Sequence, residues 1–238
     1  MYQDKISGII NGIDVDYYNP ASDPALDASF SADSLDGKAV CKAKLQQLCG
    51  LPQKPDTPLV AMVSRLASHK GFDLVQRVID EILQDDIQFV LLGTGEKPME
   101  QFFAALAQRH PDKVCVKLCY DKALSKKIYA GADLFLMPSQ SEPCGLAQMI
   151  ASRYGTVPVV RETGGLYDTI KPYNQYDGSG NGFTFANYNA HEMMDALRRA
   201  TALYRQREKW QAFVVQCMAV DFSWDRSAQQ YIEIYRAL

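Results

Sequence analysis

The chain has 238 residues, 47 % of them hydrophobic and 22 % charged, an ordinary globular balance with enough length to bury a substantial core. With 25 basic against 28 acidic side chains the net charge is −3, and no block of five like charges occurs, so neither a nucleic-acid surface nor an anionic-membrane surface is expected. No apolar run approaches the roughly 18 residues that cross a bilayer, and the opening "MYQDKISGII" lacks the layout of a secretion signal.

In chain order, residues 14–37 are rich in Asp, Ser, Ala and Pro and read as an irregular connection. A helix follows over about 38–49, stopped by Gly50 and Pro52. From Leu59 onward, short β-rich apolar runs alternate with helix-period segments. "LVAMVSR" (59–65) is a strand, followed by a helix with Val75, Val78, Ile79, Ile82 and Leu83 on one face. "IQFVLLG" (87–93) is the second strand, and Met99, Phe102, Phe103 and Leu106 then recur at helical spacing. "KVCVKL" (113–118) leads to a short helix near Leu124 and Ile128, and "DLFLMP" (133–138) to a helix from about Gly145. "VPVVR" (157–161) precedes a helical turn at Leu166–Ile170. This alternation predicts right-handed crossovers and a mainly parallel sheet covered on both faces, one Rossmann-like α/β unit. "YDGSGNG" (176–182) reads as an exposed loop, and the chain from Ala190 is helical, its last helix capped by Ser223.

Six cysteines, at 41, 49, 115, 119, 144 and 217, form no C-x-x-C pair. Four residues of strand would part Cys115 from Cys119 by roughly 13 Å, too far for a disulfide, so free thiols in a reducing compartment are expected. His69, His110 and His191 are isolated and lack metal-ligand spacing, so no metal site is expected.

Ligands of an open parallel sheet bind outside the carboxyl ends of its strands. Five such ends here carry unusual residues: Ser64, Arg65 and Lys70 after the first strand, Gly93, Thr94 and Gly95 after the second, Tyr120 after the third, Ser139–Leu146 after the fourth and Glu162–Leu166 after the fifth. In "SRLASHKG", Arg65 and Lys70 are spaced to pinch an anion, a planar fork and a compact charge that suit a diphosphate. In "ETGGL", Gly164 and Gly165 at a helix start would let the backbone approach phosphate oxygens. In "SEPCGL", Glu142 can accept hydrogen bonds from sugar hydroxyls, and Gly145 bares main-chain donors. Cys144 at a helix start invites a nucleophile reading, but no His lies near it in the chain, so a packed or hydrogen-bonding cysteine is expected. Tyr120 is a candidate to stack on a nucleobase, although an aromatic just past a strand is more often core. "LGTGEKP" departs from the dinucleotide fingerprint G-x-G-x-x-G at Pro98, which disfavours a nicotinamide oxidoreductase.

Taken in order, "SGIINGID", "VSRLASHKGFDL", "LLGTGE", "SEPCGLAQM", "RETGGLYDTI", "GNGFTF" and "FSWDRSAQQYIEIY" resemble the C-terminal domain of bacterial glycogen synthases and plant starch synthases, glycosyltransferase family 5. The resemblance runs through essentially the whole chain. It implies the C-terminal half of a GT-B fold: a linker and irregular lead-in over 1–37, a Rossmann-like core over 38–222, and a crossover helix over 223–238. The implied reaction is retaining transfer of glucose from ADP-glucose to the 4-hydroxyl end of an α-1,4-glucan, with no cofactor. By motif match, Arg65 and Lys70 would hold the diphosphate, and Glu142 with the backbone of Cys144, Gly145 and Leu146 would grip glucose hydroxyls. Thr163, Gly164, Gly165 and Leu166 would meet phosphates and sugar, Tyr120 would lie against adenine, and Ser64, Gly93 and Gly95 complete the donor-binding set. Many retaining GT-B enzymes carry a second Glu eight residues after the first, where this chain has Ile150; the glycogen synthase family also lacks it.

The resemblance also implies that the family's K-x-G-G-L segment and its active-site histidine lie in an amino-terminal domain, which would hold the glucan acceptor. "ETGGL" is not that segment, because it follows "SEPCGL". The chain alone is therefore expected to bind ADP or ADP-glucose without transferring glucose. Self-association through the final helix is expected if its apolar stripe is uncovered. The implied location is cytoplasmic, or plastid in a plant, and a non-catalytic nucleotide- or partner-binding module is the alternative reading.

Overall fold

The computed structural model describes residues 7–237. Its six strands are β1 (Leu59–Val63), β2 (Gln88–Leu92), β3 (Val114–Lys117), β4 (Leu134–Met137), β5 (Val157–Arg161) and β6 (Phe183–Phe185). They form one sheet in the order β3-β2-β1-β4-β5-β6 with every pairing parallel. Strands so placed are covered on both faces, and the first five read as near-continuous apolar runs for that reason. The helices are α1 (Asp36–Leu48), α2 (Phe72–Ile82), α3 (Lys97–Arg109), α4 (Lys122–Gly131), α5 (Ala147–Arg153), α6 (Gly164–Thr169), α7 (Ala190–Tyr204), α8 (Arg207–Met218) and α9 (Trp224–Ala237). The apolar face expected for α2 is buried, and Asp121 and Asn189 cap α4 and α7 by accepting backbone N–H groups of the first turn. The Rossmann-like α/β architecture matches the sequence expectation.

Three features differ from that expectation. The sixth strand is only three residues long, too short to show a period in sequence, yet it pairs with Val159–Arg161 and buries Phe183 and Phe185. The end of the expected loop is not exposed: Asn181 is buried, its Oδ1 accepts from the Lys171 N–H and its Nδ2 donates to Thr169 O at 2.9 Å. The lead-in is irregular as read, but it belongs to the packed body, with Ile13 and Phe30 inside the main hydrophobic core. The Ile13 N–H donates to Phe222 O at 2.8 Å, so the lead-in meets the segment just before α9. Ser223 does cap α9, its Oγ accepting from the Arg226 N–H at 3.4 Å. Trp224 at the start of α9 is exposed, and beyond the buried Ser227 so are Tyr231, Ile232 and Tyr235.

Two lysines of α1 fasten the amino-terminal edge of the sheet. Lys42 Nζ pairs with Asp133 at 2.7 Å, and Asp133 in turn accepts the Leu59 N–H at 2.7 Å. Lys38 Nζ reaches under β4 and β5 to Ala130 O, Ala132 O, Tyr154 O and Thr156 Oγ1, all at 2.9–3.0 Å. Losing this donor would orphan several buried oxygens, so Lys38→Met is expected to destabilise the fold by about 3–5 kcal/mol. Burial pushes the Lys38 ammonium down to about 8 from 10.5. Between those two values the unfolded chain holds the proton and the folded chain does not, so this group's contribution to stability grows as pH rises through the window. Denaturant titrations at pH 7 and pH 10 are therefore expected to show a larger loss for Lys38→Met at pH 10.

Candidate functional site

The chain adds β2 and β3 on one side of β1, then returns to add β4, β5 and β6 on the other. The carboxyl ends of β1 and β4 thus face the crevice that a reversal of strand order opens. Ser64, Arg65, Gly93, Thr94 and Tyr120, from the first three strand exits, line an open pocket of ≈ 380 Å³. Tyr120 is 81 % exposed on the pocket wall and not part of the core. Ile150 and the buried Tyr129 line the same pocket. Arg65 is exposed, and its guanidinium has no ion pair or hydrogen bond among the described residues.

The remaining wall comes from Tyr17 and Tyr18, which the sequence did not single out because their stretch has no periodicity. They are held by side chains of α4 and α5. Lys126 Nζ lies 3.7 Å from the Tyr17 ring centroid, donates to Tyr17 O at 3.2 Å and pairs with Asp23 at 3.0 Å. Arg153 donates to Tyr18 O at 3.3 Å, and the Tyr154 hydroxyl donates to Asp23. Burial raises the Asp23 carboxyl, but the hydrogen bonds from Tyr154, the Ala25 N–H and Lys126 outweigh it and hold the group below its ordinary value. Burial, reinforced by the Asp23 carboxylate, pushes the Tyr154 hydroxyl up.

The β4 and β5 exits carry the second half of the site. Lys70 does not stand free beside Arg65: its Nζ pairs with Glu142 Oε2 at 2.6 Å, and Ser139 Oγ donates to the same oxygen at 3.2 Å. The loop that presents Glu142 is fixed from both sides. Gln140 N–H donates to His69 O at 2.9 Å, and Arg161 of β5 donates to Ser139 O at 3.0 Å and Gln140 O at 2.7 Å. Arg161, another residue that sequence reasoning passed over, closes β5 as a strand residue and so looked structural.

The glycines of "ETGGL" also pack against the neighbouring loop. The ideal Cβ of Gly164 would fall 2.2 Å from Glu142 O, and that of Gly165 would fall 1.9 Å from Cys144 O. Their missing side chains admit the Glu142–Cys144 main chain, and the Gly165 N–H is already bonded to Glu142 O at 3.0 Å. Leu166, expected at the ligand, is fully buried with Val160 and Ile170. Thr163 precedes α6, whose first residue Gly164 is exposed. Gly95 bridges to Leu66 and lies outside the pocket lining, whereas Gly93 is part of it. Cys144 is half-buried against the core with Sγ 3.6 Å from Gly145 O, in keeping with a packing role, and Leu146 is exposed. All six cysteines are free. Gly165→Ala is expected to cost about 1–3 kcal/mol by forcing the two loops apart, read as a lowered denaturant midpoint with an unchanged slope.

Residues 50–213 match the family described as glycosyl transferases group 1. Over 234 residues, 98 % of this chain and 49 % of the relative, the sequence is 50 % identical to a glycogen synthase of Desulforamulus reducens. It is 49 % identical to a glycogen synthase of Bacillus cereus over 237 residues, 100 % of this chain and 50 % of that one. The chain thus spans about half the length of the curated relatives it matches. Among solved structures, the catalytic domain of starch synthase IV from Arabidopsis thaliana, bound to ADP and acarbose, superposes with a TM-score of 0.91 at 42 % identity, covering 99 % of this chain and 50 % of that one. A parallel sheet whose five exits gather on one rim, a sequence match over most of the core, and a GT-B-like neighbour at that level of similarity agree: this chain belongs to the group 1 glycosyl transferases, and its similarity within them is to glycogen and starch synthases.

Proposed function

We propose that this chain binds the donor in a retaining transfer of glucose from ADP-glucose to the 4-hydroxyl end of an α-1,4-glucan, the reaction of glycogen or starch synthesis. The observation that carries the reading is the Lys70–Glu142 pair, outside the pocket lining but at the same carboxyl edge of the sheet as the open aromatic pocket with Arg65 on its wall. The ADP in the starch synthase neighbour and the names of the relatives support it. In this scheme adenine lies along Tyr120, and the diphosphate draws in Arg65 and Lys70. Lys70 exchanges its carboxylate partner for phosphate oxygens, which frees Glu142 to accept from glucose hydroxyls. Thr163 and the exposed Gly164 border the phosphates. The bond from glucose C1 to the β-phosphate oxygen breaks and the bond from C1 to the acceptor O4 forms. The acceptor hydroxyl gives its proton to the departing β-phosphate oxygen, and Arg65 and Lys70 neutralise the charge growing on ADP. The donor is a substrate, and no cofactor enters. A cytoplasmic (or, in a plant, plastid) location belongs to the same proposal.

The acceptor is assigned to residues outside this chain, because transfer needs donor and acceptor held together across a closed cleft. A second reading, a module that docks a partner or a second copy through its exposed helix, draws on the uncovered Trp224, Tyr231, Ile232 and Tyr235 of α9. It expects no nucleotide effect on melting.

Thermal shift with ADP, UDP, NAD and buffer separates these readings, with the largest stabilisation expected from ADP. Arg65→Ala and Lys70→Ala are each expected to weaken ADP binding by roughly 10- to 100-fold, the loss of a charge-assisted hydrogen bond. Calorimetry showing the double variant with undiminished affinity would overturn the diphosphate assignment. The pure chain is expected to incorporate no labelled glucose into glycogen, and measurable incorporation would refute the division of labour.

A further inference from the structure

We infer that Gln148 is a positioning residue for donor binding: its buried carboxamide turns the main chain of the Cys144–Leu146 loop so that two N–H groups face the ligand. The inference rests on the donor-binding reading above. Gln148 lies in the first turn of α5 and is fully buried. Its Nε2 donates to Cys144 O at 3.3 Å and Gly145 O at 2.9 Å, and it lies 3.1 Å from Thr169 Oγ1. The Thr169 hydroxyl gives its own proton to Gly165 O at 2.6 Å, so its oxygen can accept from Gln148. One amide therefore ties the "SEPCG" loop to the "TGG" turn through a short relay.

The orientation of the amide is fixed by chemistry. Rotated end for end, Oε1 would oppose two carbonyl oxygens; as it stands, Oε1 is buried and has no partner among the described residues. An orphaned acceptor is tolerated here for the sake of the donor end, since a residue kept for packing alone needs no amide. Gly145 is part of the same arrangement. It has φ +71°, and a Cβ there would fall 2.5 Å from Oε1.

The consequence follows from the planar trans peptide, in which C=O and N–H point in opposite directions. Drawing the carbonyls of Cys144 and Gly145 onto Gln148 turns the N–H groups of Gly145 and Leu146 away from it. Neither of those N–H groups has an acceptor among the described residues. They lie three and four residues after Glu142, on the loop that presents its carboxylate. Two aimed donors beside an acceptor suit the hydroxyls of a hexose, so Gln148 acts on the sugar half of the donor and not on its nucleotide half.

The test compares ADP with ADP-glucose on the 238-residue chain. Gln148→Met keeps the shape and removes the hydrogen bonds; Gln148→Glu sets an oxygen against the two carbonyls. In both, ADP-glucose affinity measured by calorimetry is expected to fall about tenfold or more while ADP affinity is retained, roughly the loss of one or two hydrogen bonds. Peptide-resolved alkylation of Cys144 by iodoacetamide is expected to quicken by a similar factor as the loop loosens. Equal losses for both ligands together with a lowered melting temperature would reduce Gln148 to a structural residue and overturn the inference. Unchanged ADP-glucose affinity with unchanged Cys144 alkylation would overturn it too. If the wild-type chain binds neither ligand, the donor reading fails, and the alkylation rates alone then decide whether Gln148 holds the loop. Should both variants fail to fold, Thr169→Val cuts the same relay from its other end and carries the test with the same readouts.

Discussion

The site depends on the reversal of strand order at β1. Because β2 and β3 are added on one side and β4 to β6 on the other, the connections leaving β1 and β4 turn away from each other and leave a crevice that no crossover can cover. The chain fills this opening with loops instead of a helix, and each loop is fixed by its neighbours. The turn after β1 holds Gln140 through His69 O, Arg161 at the end of β5 holds the same stretch from the opposite side, and Gly164 and Gly165 admit the Glu142–Cys144 backbone at contact distance. The rigidity of the rim thus comes largely from main-chain packing between loops, with few side chains spent on it.

Charge is distributed unevenly over that frame. Lys70 and Glu142 neutralise each other in a half-closed setting, so each is held in one geometry and neither is left as a desolvated single charge. Arg65 is left solvated and free to reach an incoming anion. A ligand carrying both a diphosphate and hydroxyls can replace both halves of the pair at once, whereas an inorganic anion satisfies only Lys70 and strands Glu142. In the proposed scheme this difference would favour an activated sugar over free phosphate.

Much of this was legible in the sequence, for identifiable reasons. Parallel strands buried on both faces must be continuous apolar runs, and "LVAMV", "QFVLL" and "VPVVR" announced themselves as such. Polar and glycine residues clustered just past those runs pointed to the rim, because strand exits are where an open sheet can spare them. What stayed hidden depends on contacts between distant segments. Phe183–Phe185 becomes a strand only because β5 offers an edge to it. Tyr17 and Tyr18 become a wall only because Lys126 and Arg153 fasten them there. The close approach of Glu142 O and Cys144 O to the glycines at 164 and 165 is likewise invisible until the two loops are folded together.

The fastening of residues 17–23 bears on where this unit begins. Judged by regular structure alone, the body would start at α1, and everything before Asp36 would pass for tether. A chain trimmed at that point would lose the aromatic side of its pocket and expose Phe30's seat in the core. It would also leave Lys126 and Tyr154 facing an empty place where Asp23 had been. The apparent tether is a structural member of the receptor, and its removal would open the cleft from the side.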